Sequence, residues 1–310
     1  MPRVTVSSVI CTVLVLVHSL VGAQQIPAPP LPVPDHADVQ YGPHDRNVLD
    51  LWLAESDGVA PLVIYYHGGG FSRGDKRSIN RELVRQLLGN GVSVAAANYR
   101  LTDTAPYPAQ MHDAARALQF IRLHAAEYGI DPTRIGATGG SAGAGISQWL
   151  AFHDDLADPD NPDPLLRQST RLTAIVPVNA QTSYDPRFIK RLMNTEQVHP
   201  AFVAFFGMTS AADVDDSRFH ALFEDSSPLN HLTADDPPVL VSFNQRNDPL
   251  PPNSSGGLHI HHPKFGFALK EKADELGVEC TILLTEDHPE GEPIDKYVNF
   301  FLEKFGVRAH

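Results

Sequence analysis

The sequence predicts an α/β fold in which helices cover both faces of a mainly parallel central sheet. Short apolar runs of strand length recur along the chain and alternate with segments whose apolar residues follow a helical spacing. The chain has 310 residues, 42% of them hydrophobic, which is enough to bury one sizeable core. One interval, residues 181–236, is too long for a simple connection and predicts a helical cap insertion.

The predicted strands are rich in branched and apolar residues and are five to seven residues long. They are Val48–Ala54, Leu62–Tyr66, Val92–Ala97, Arg134–Thr138, Ala174–Val178, Val239–Phe243 and Cys280–Leu284. Apolar residues at helical spacing predict a helix within Pro108–Tyr128 and another from Ile294 to Phe305, where Pro293 suits the first turn. Together these elements predict one domain over residues 47–310.

The first 46 residues carry signals of their own. A positively charged start and the apolar run Val9–Leu20 precede a small-residue cleavage site that ends at Ala23, so residues 1–23 are predicted to be a secretory signal peptide. The run is shorter than the roughly 20 residues of a spanning helix, so no stable membrane span is expected. Residues 24–46 include the proline-rich stretch 26–34 and predict an extended spacer. The expected location is the periplasm or the exterior of the cell.

Charge and cysteine content narrow the class of protein. A net charge of −13 argues against a nucleic acid partner. Cys11 lies within the predicted leader, which leaves Cys280 as the one cysteine of the mature chain. No internal disulfide is then possible, and stability must come from the hydrophobic core.

Two glycine-rich segments carry the functional information. In Gly139-Gly140-Ser141-Ala142-Gly143 the serine follows a predicted strand, as in the sharp strand-to-helix turn that presents a nucleophile. Flanking glycines suit such a turn because side chains there would collide with neighbouring backbone. The second segment, His67-Gly68-Gly69-Gly70, follows another predicted strand and lets the main chain approach a substrate. A phosphate-binding role is disfavoured because neither GxxxxGK[ST] nor GxGxxG is present.

With these motifs in this order, the chain resembles the α/β-hydrolase superfamily, especially its hormone-sensitive-lipase-like carboxylesterase branch. The segments Asn98–Leu101 and Tyr128–Pro132 add to the likeness. The chain also resembles, more loosely, secreted bacterial feruloyl and acetyl xylan esterases. The resemblance implies a serine carboxylesterase that needs no metal or organic cofactor. Its substrate would be a small or polysaccharide-linked ester, such as an acetyl or feruloyl ester.

The same resemblance implies roles for individual residues. Ser141 would be the nucleophile, and the amides of Gly69, Gly70 and Ala142 would form the oxyanion hole. His67 would organise the glycine loop as a structural histidine. Two other interpretations stay open: a catalytically silent hydrolase fold used for binding, and a lipase acting on longer acyl chains.

A serine hydroxyl is nearly un-ionised at neutral pH, so it needs a base, which an acid orients. In the resembled fold the three groups occur in the order serine, acid, histidine. Asp248 is the predicted acid because it follows the strand Val239–Phe243 across a short loop and precedes Pro-Leu, although the family's preceding glycine is absent. His288 is the predicted base because it comes directly after Cys280–Leu284, although the small residues that usually precede it are missing.

A second group of histidines competes with His288. His259, His261 and His262 lie in a stretch longer than a minimal connection between acid and base. One of them could be the base, or their HxHH spacing could bind a metal, although no HExxH motif or cysteine pair accompanies them. They could also be ordinary loop histidines, and the sequence alone leaves these interpretations open.

Overall fold

A computed structural model describes residues 30–251 and 254–308, and its compact domain begins at Leu31. The predicted signal peptide, residues 1–23, lies outside the described residues. Eight strands form one sheet in the order β1-β2-β4-β3-β5-β6-β7-β8. Their bounds are β1 His36–Gln40, β2 Val48–Trp52, β3 Ala60–Tyr66, β4 Ser93–Ala97, β5 Ile130–Gly140, β6 Ala174–Val178, β7 Val239–Phe243 and β8 Cys280–Leu284.

The pairing of the strands confirms the predicted mainly parallel sheet. Strand β2 pairs antiparallel with both β1 and β4, and every other neighbouring pair in the sheet is parallel. Strands β6, β7 and β8 have the bounds that the sequence predicts. Strands β6 and β7 are short apolar runs that are buried throughout, whereas β8 lies at the edge of the sheet and is partly exposed.

Strand β1 lies within residues 24–46, which the sequence analysis assigned to a spacer. Its sequence, HADVQ, has no apolar run, so hydrophobic periodicity does not reveal it. Hydrogen bonds fix it and the preceding chain to β2. The Asp35 carboxylate accepts from the Leu53 amide at 2.8 Å, and the Trp52 indole donates to the Pro32 carbonyl at 2.8 Å. The folded domain therefore starts earlier than residue 47.

Helices follow most of the strands. They are α1 Arg81–Gly89, α2 Ala109–Leu123, α3 Ala125–Tyr128, α4 Ala142–Phe152, α5 Pro186–Met193, α6 Ala201–Phe205, α7 His220–Asp225, α8 Pro228–His231, α9 Gly256–Ile260, α10 Lys264–Leu276 and α11 Ile294–Phe305. The single helix predicted within Pro108–Tyr128 is divided into α2 and α3 at His124.

Two hydrophobic cores lie on opposite faces of the sheet, because successive side chains of a strand point to opposite sides. Along β3, Leu62 and Ile64 belong to one core, which includes residues of α2, α4 and α10. Val63 belongs to the other core, which includes residues of α1 and α11. Burying each such side chain contributes about 1.5–3 kcal/mol, so the two cores fix the sheet that carries the site.

The insertion at residues 181–236 contains α5 to α8, as the sequence predicts. Its aromatic residues Phe202, Phe206 and Phe223 are buried, and so is Phe205, which stacks on Phe71 of the main domain with 4.1 Å between ring centroids. Within the part of the chain that the structure describes, no helix has both the length and the apolarity that a membrane crossing requires.

Candidate active site

Ser141 lies at the turn between β5 and α4, with φ +53° and ψ −113°. This conformation is unusual for a residue with a side chain and costs about 1–3 kcal/mol, which the surrounding packing must offset. A Cβ built on Gly139 would lie 2.4 Å from the Tyr66 carbonyl oxygen, and one on Gly143 would lie 1.9 Å from it. Neither position accommodates a side chain, so these glycines let β3 approach the turn closely enough to hold it.

The glycine loop after β3 lies directly against this turn. A Cβ on Gly68 would lie 2.8 Å from the Gly140 carbonyl oxygen. Gly69 and Gly70 have φ values of +116° and +59°, which glycine adopts without the usual steric penalty. Among the described residues, the amides of Gly69, Gly70 and Ala142 donate no hydrogen bond to another residue. They are therefore available to an oxygen of a bound molecule.

The Ala142 amide has a further property, because it is at the first position of α4. The first amides of a helix have no partner within the helix, and the helix dipole places partial positive charge there. Ala142 is buried, with 1% of its surface exposed, so water screens this charge poorly. The start of α4 therefore favours negative charge near Ser141.

His67 holds the glycine loop in place. Its Nε2 lies 3.1 Å from Nη2 of Arg46, and its Nδ1 lies 2.8 Å from the Gly68 carbonyl oxygen. Since arginine only donates, Nε2 accepts and Nδ1–H donates. Burial is the main cause that lowers the pKa of His67 to about 4, and the Arg46 charge adds to it. His67 is neutral at pH 7 and bonded at both nitrogens, which is the organising role the sequence analysis expects.

The imidazole that reaches Ser141 belongs to His261, one of the three competing histidines. His261 Nε2 lies 2.9 Å from the Ser141 hydroxyl oxygen. His261 follows α9 in the segment between β7 and α10, 120 residues after the serine. Burial, and then the nearby charge of His199, lower the pKa of His261 below its ordinary value. The neutral ring that results can accept the hydroxyl proton.

His288, the base predicted from the sequence, makes its contact with α11 rather than with Ser141. Its Nδ1 lies 3.3 Å from Nζ of Lys296, in the first turns of α11. Its Nε2 is buried and has no hydrogen-bond partner in the described part of the chain. The 3₁₀ turn Thr285–Asp287 after β8 directs His288 toward α11, so it makes no hydrogen bond with Ser141.

The predicted acid, Asp248, also contacts a residue other than the one its predicted role requires. The Asp248 carboxylate accepts from Nε of Arg246 at 2.8 Å, and both side chains are 65% exposed. It bonds neither His261 nor His288. What this segment contributes is a main-chain contact, since the Asp248 carbonyl oxygen lies 2.9 Å from Nε2 of His262. Asp248 therefore holds the residue next to His261 through its backbone, and the described residues provide no carboxylate partner for the His261 ring.

The HxHH segment is not arranged as a metal site. Within residues 30–251 and 254–308, His259, His261 and His262 do not bring three ligand atoms together. Both ring nitrogens of His262 have partners, because Nδ1 also lies 3.1 Å from the Lys264 amide. The contact that distinguishes this segment is the one between His261 and Ser141.

The surroundings of Ser141 include two different surfaces. On one side the insertion approaches the glycine loop, since a Cβ on Gly70 would lie 3.3 Å from the Ala201 Cβ. On another side, a cavity of about 470 Å³ extends along Gly139 and Gly140; its lining is largely polar and includes neither Ser141 nor His261. The polar residues of this lining include Tyr65, Asn80, Asn179, Asn244 and Glu292. No sequence motif marks these residues.

Comparison with known proteins shows which family and which curated proteins the chain resembles. The BD-FAE family model matches residues 49–261. The chain is 32% identical over 219 residues to the probable carboxylic ester hydrolase LipM of Mycobacterium tuberculosis. The aligned region covers 69% of this chain and 48% of LipM. It is 30% identical over 226 residues to the esterase LipQ of the same organism, covering 70% of this chain and 50% of LipQ. The chain spans about half the length of these curated relatives.

Solved structures share the fold at lower identity. A truncated carbohydrate esterase from gut microbiota superposes with a TM-score of 0.69 and 20% identity, covering 87% of this chain and 96% of that one. An acetyl ester-xyloside bifunctional hydrolase from Caldicellulosiruptor lactoaceticus has a TM-score of 0.64 and 20% identity, with coverages of 84% and 88%. Thermogutta terrifontis esterase 2 phosphonylated by sarin has a TM-score of 0.66 and 19% identity, with coverages of 90% and 99%. These likenesses confirm the predicted α/β-hydrolase fold.

Proposed function

Because the chain belongs to the BD-FAE family and has the α/β-hydrolase fold, we propose that it is a serine carboxylesterase. The observation that carries the proposal is the 2.9 Å contact between His261 Nε2 and the Ser141 hydroxyl. A base in hydrogen-bond reach of a serine at a strained strand-to-helix turn is the arrangement that activates a nucleophile. The relatives named as ester hydrolases support the same reaction class.

In the proposed reaction, the Ser141 oxygen attacks the acyl carbonyl carbon while His261 Nε2 takes the hydroxyl proton. The carbonyl oxygen becomes negatively charged and faces the amides of Gly69, Gly70 and Ala142. One such donor typically accounts for about 10²–10³ in rate. His261 then gives its proton to the departing alcohol, which leaves an acyl group on the serine. A water molecule, deprotonated by the same imidazole, releases the acid and restores the hydroxyl.

For the alcohol side of the substrate we propose a sugar. Amide, hydroxyl and carboxylate groups line the cavity beside Gly140, and such groups form hydrogen bonds with sugar hydroxyls. The structural relatives named as a carbohydrate esterase and an acetyl ester-xyloside hydrolase support this substrate class. Acetyl or feruloyl esters of plant polysaccharide are therefore the proposed substrates.

For the acyl side we propose a preference for short groups. The insertion approaches the glycine loop at Gly70, and Phe205 is fully buried against Phe71. Close packing beside the glycine loop leaves little room for a long acyl chain, which disfavours a lipase. Hydrolysis of p-nitrophenyl acetate, butyrate and octanoate, together with methyl ferulate and acetylated xylan, tests both sides. A higher kcat/KM for octanoate than for acetate would contradict the acyl proposal.

Export of the enzyme remains a separate proposal that rests on the predicted leader. Expression of the full chain in a bacterial host, followed by N-terminal sequencing of the exported protein, tests it. A mature chain that begins after Ala23 would support cleavage at the proposed site. An unprocessed chain that stays in the cytoplasm would contradict it.

The esterase proposal is tested by replacing Ser141 with alanine and measuring p-nitrophenyl acetate hydrolysis beside a matched variant, Ser56→Ala. Ser56 lies in an exposed loop. We expect Ser141→Ala to abolish both turnover and labelling by a fluorophosphonate, because only an activated serine reacts readily. Ser56→Ala should keep both. Parent-level turnover in Ser141→Ala would eliminate this mechanism, and failure of the parent to react would favour a silent binding role.

A further inference from the structure

A cluster of two histidines and one carboxylate lies outside the candidate active site. His153 directly follows α4, the helix that begins after Ser141, and is therefore about 18 Å from the serine along the helix. Asp225 ends α7 and His231 ends α8, so both belong to the insertion. The cluster thus joins the far end of the nucleophile helix to the insertion, and the esterase mechanism does not use it.

The geometry of this cluster points to a metal site. One ligand atom from each of His153, Asp225 and His231 lies within 4.8 Å of the other two. His153 Nε2 is 3.7 Å from Asp225 Oδ1, and the two imidazole rings have centroids 4.6 Å apart. Ligand atoms around a tetrahedral zinc lie about 3.4 Å apart. Closing the site requires movements of about 1 Å, which side chains that are partly exposed can make.

The groups around the cluster orient the ligands before any ion binds. The Tyr107 hydroxyl donates to Asp225 Oδ2, which leaves Oδ1 on the His153 side. The Asp225 carbonyl oxygen accepts from the Trp149 indole at 3.1 Å and lies 2.8 Å from Nε2 of His231. Trp149 also stacks on His153 with ring centroids 4.3 Å apart. Hydrogen bonds and packing of this kind commonly hold metal ligands in position.

We propose that His153, Asp225 and His231 bind one Zn²⁺, with water completing the coordination, and that this ion fastens the insertion to the nucleophile helix. The donor set is two imidazole nitrogens and one carboxylate oxygen, which suits zinc, whereas calcium and magnesium prefer oxygen ligands alone. In the described part of the chain, His153, Asp225 and His231 form the one group of three histidine, cysteine or acidic side chains whose ligand atoms lie within 4.8 Å of one another. The proposal does not depend on the esterase function.

The test uses the full chain after treatment with EDTA and extensive dialysis. Isothermal titration with ZnCl₂ should give one ion per chain, and 100 μM zinc should raise the Tm by about 5 °C or more, because an ion that binds only the folded state stabilises it. His153→Gln and Asp225→Asn should each weaken zinc binding at least about tenfold and remove most of the Tm shift. Titration with Co²⁺ should give the visible absorption bands of a low-coordinate site.

Two control variants separate this site from adventitious binding by other histidines. His124→Gln removes a surface imidazole whose carboxylate neighbour is Glu127, and His261→Ala disrupts the HxHH segment. Both should bind zinc as the parent does. The proposal is overturned if the parent binds no zinc at 100 μM, if both cluster variants bind it as tightly as the parent, or if His261→Ala removes the binding. Circular dichroism of each variant checks that it is folded.

Discussion

Replacement of Asp248 by asparagine tests whether the carboxylate of this residue orients the catalytic imidazole. Among the residues that the structure describes, the Asp248 carboxylate bonds only Arg246, and both side chains are 65% exposed. Exposed ion pairs contribute little, and asparagine keeps the carbonyl that contacts His262. We therefore expect kcat/KM of Asp248→Asn to fall by less than about threefold. An acid that oriented the catalytic imidazole would instead account for about 10⁴ in kcat.

The assay is p-nitrophenyl acetate hydrolysis at pH 8, with thermal unfolding measured on the same samples. Arg246→Gln is the matched control, since it removes the same ion pair from the other side. The two variants should have similar kcat/KM values and similar Tm values. A loss of about 10³ or more in kcat/KM of Asp248→Asn, with Arg246→Gln unchanged and both proteins folded, would contradict this prediction and restore Asp248 as the acid.

Three further predictions concern the base, the turn and the core. The acid limb of kcat/KM should titrate below pH 6.5, because burial lowers the pKa of His261 and activity is lost as pH falls through that value. Gly143→Ala should lower the Tm and abolish turnover, because its Cβ would lie 1.9 Å from the Tyr66 carbonyl oxygen. Lys76→Met should cost about 3 kcal/mol of unfolding free energy, since it leaves the buried Asp50 without its 2.7 Å partner; chemical denaturation measures this.

These predictions have direct controls. Gly140→Ala should keep the parent Tm, because no atom lies within 4 Å of its added Cβ. Lys270→Met removes an exposed pair with Asp274 and should leave the denaturation midpoint unchanged. An acid limb above pH 6.5, a Gly143→Ala protein as stable as the parent, or a Lys76→Met midpoint equal to that of Lys270→Met would each contradict the corresponding argument.

The sequence predicts those parts of the fold that local pattern determines. Strands β6 to β8 are apolar runs with clear ends, and the elbow around Ser141 needs small residues at fixed positions. Strand β1 is not predicted from the sequence, because most of its residues are polar and its hydrogen bonds with β2 are non-local. Local sequence pattern therefore predicts the central strands and the turn at Ser141 better than it predicts the edge strand β1.

The histidine that contacts Ser141 is determined by tertiary structure and not by local sequence pattern. His261 and Ser141 are 120 residues apart, and only the path of the chain through α9 brings them together. His288 has the position after β8 that chain order favours, yet the turn after that strand directs it to Lys296. The sequence narrows the base to a few histidines, and in the structure His261 is the one that lies within hydrogen-bond distance of Ser141.

The proposed pairing of Ser141 with His261 is tested most directly by measuring kcat/KM of His261→Ala and His288→Gln side by side on p-nitrophenyl acetate, below the Tm of both proteins. We predict that His261→Ala loses at least about 10³ in kcat/KM, because the hydroxyl then has no base. His288→Gln should stay within about tenfold of the parent. The reverse pattern, in which only His288→Gln loses turnover while folded, would contradict the proposed mechanism.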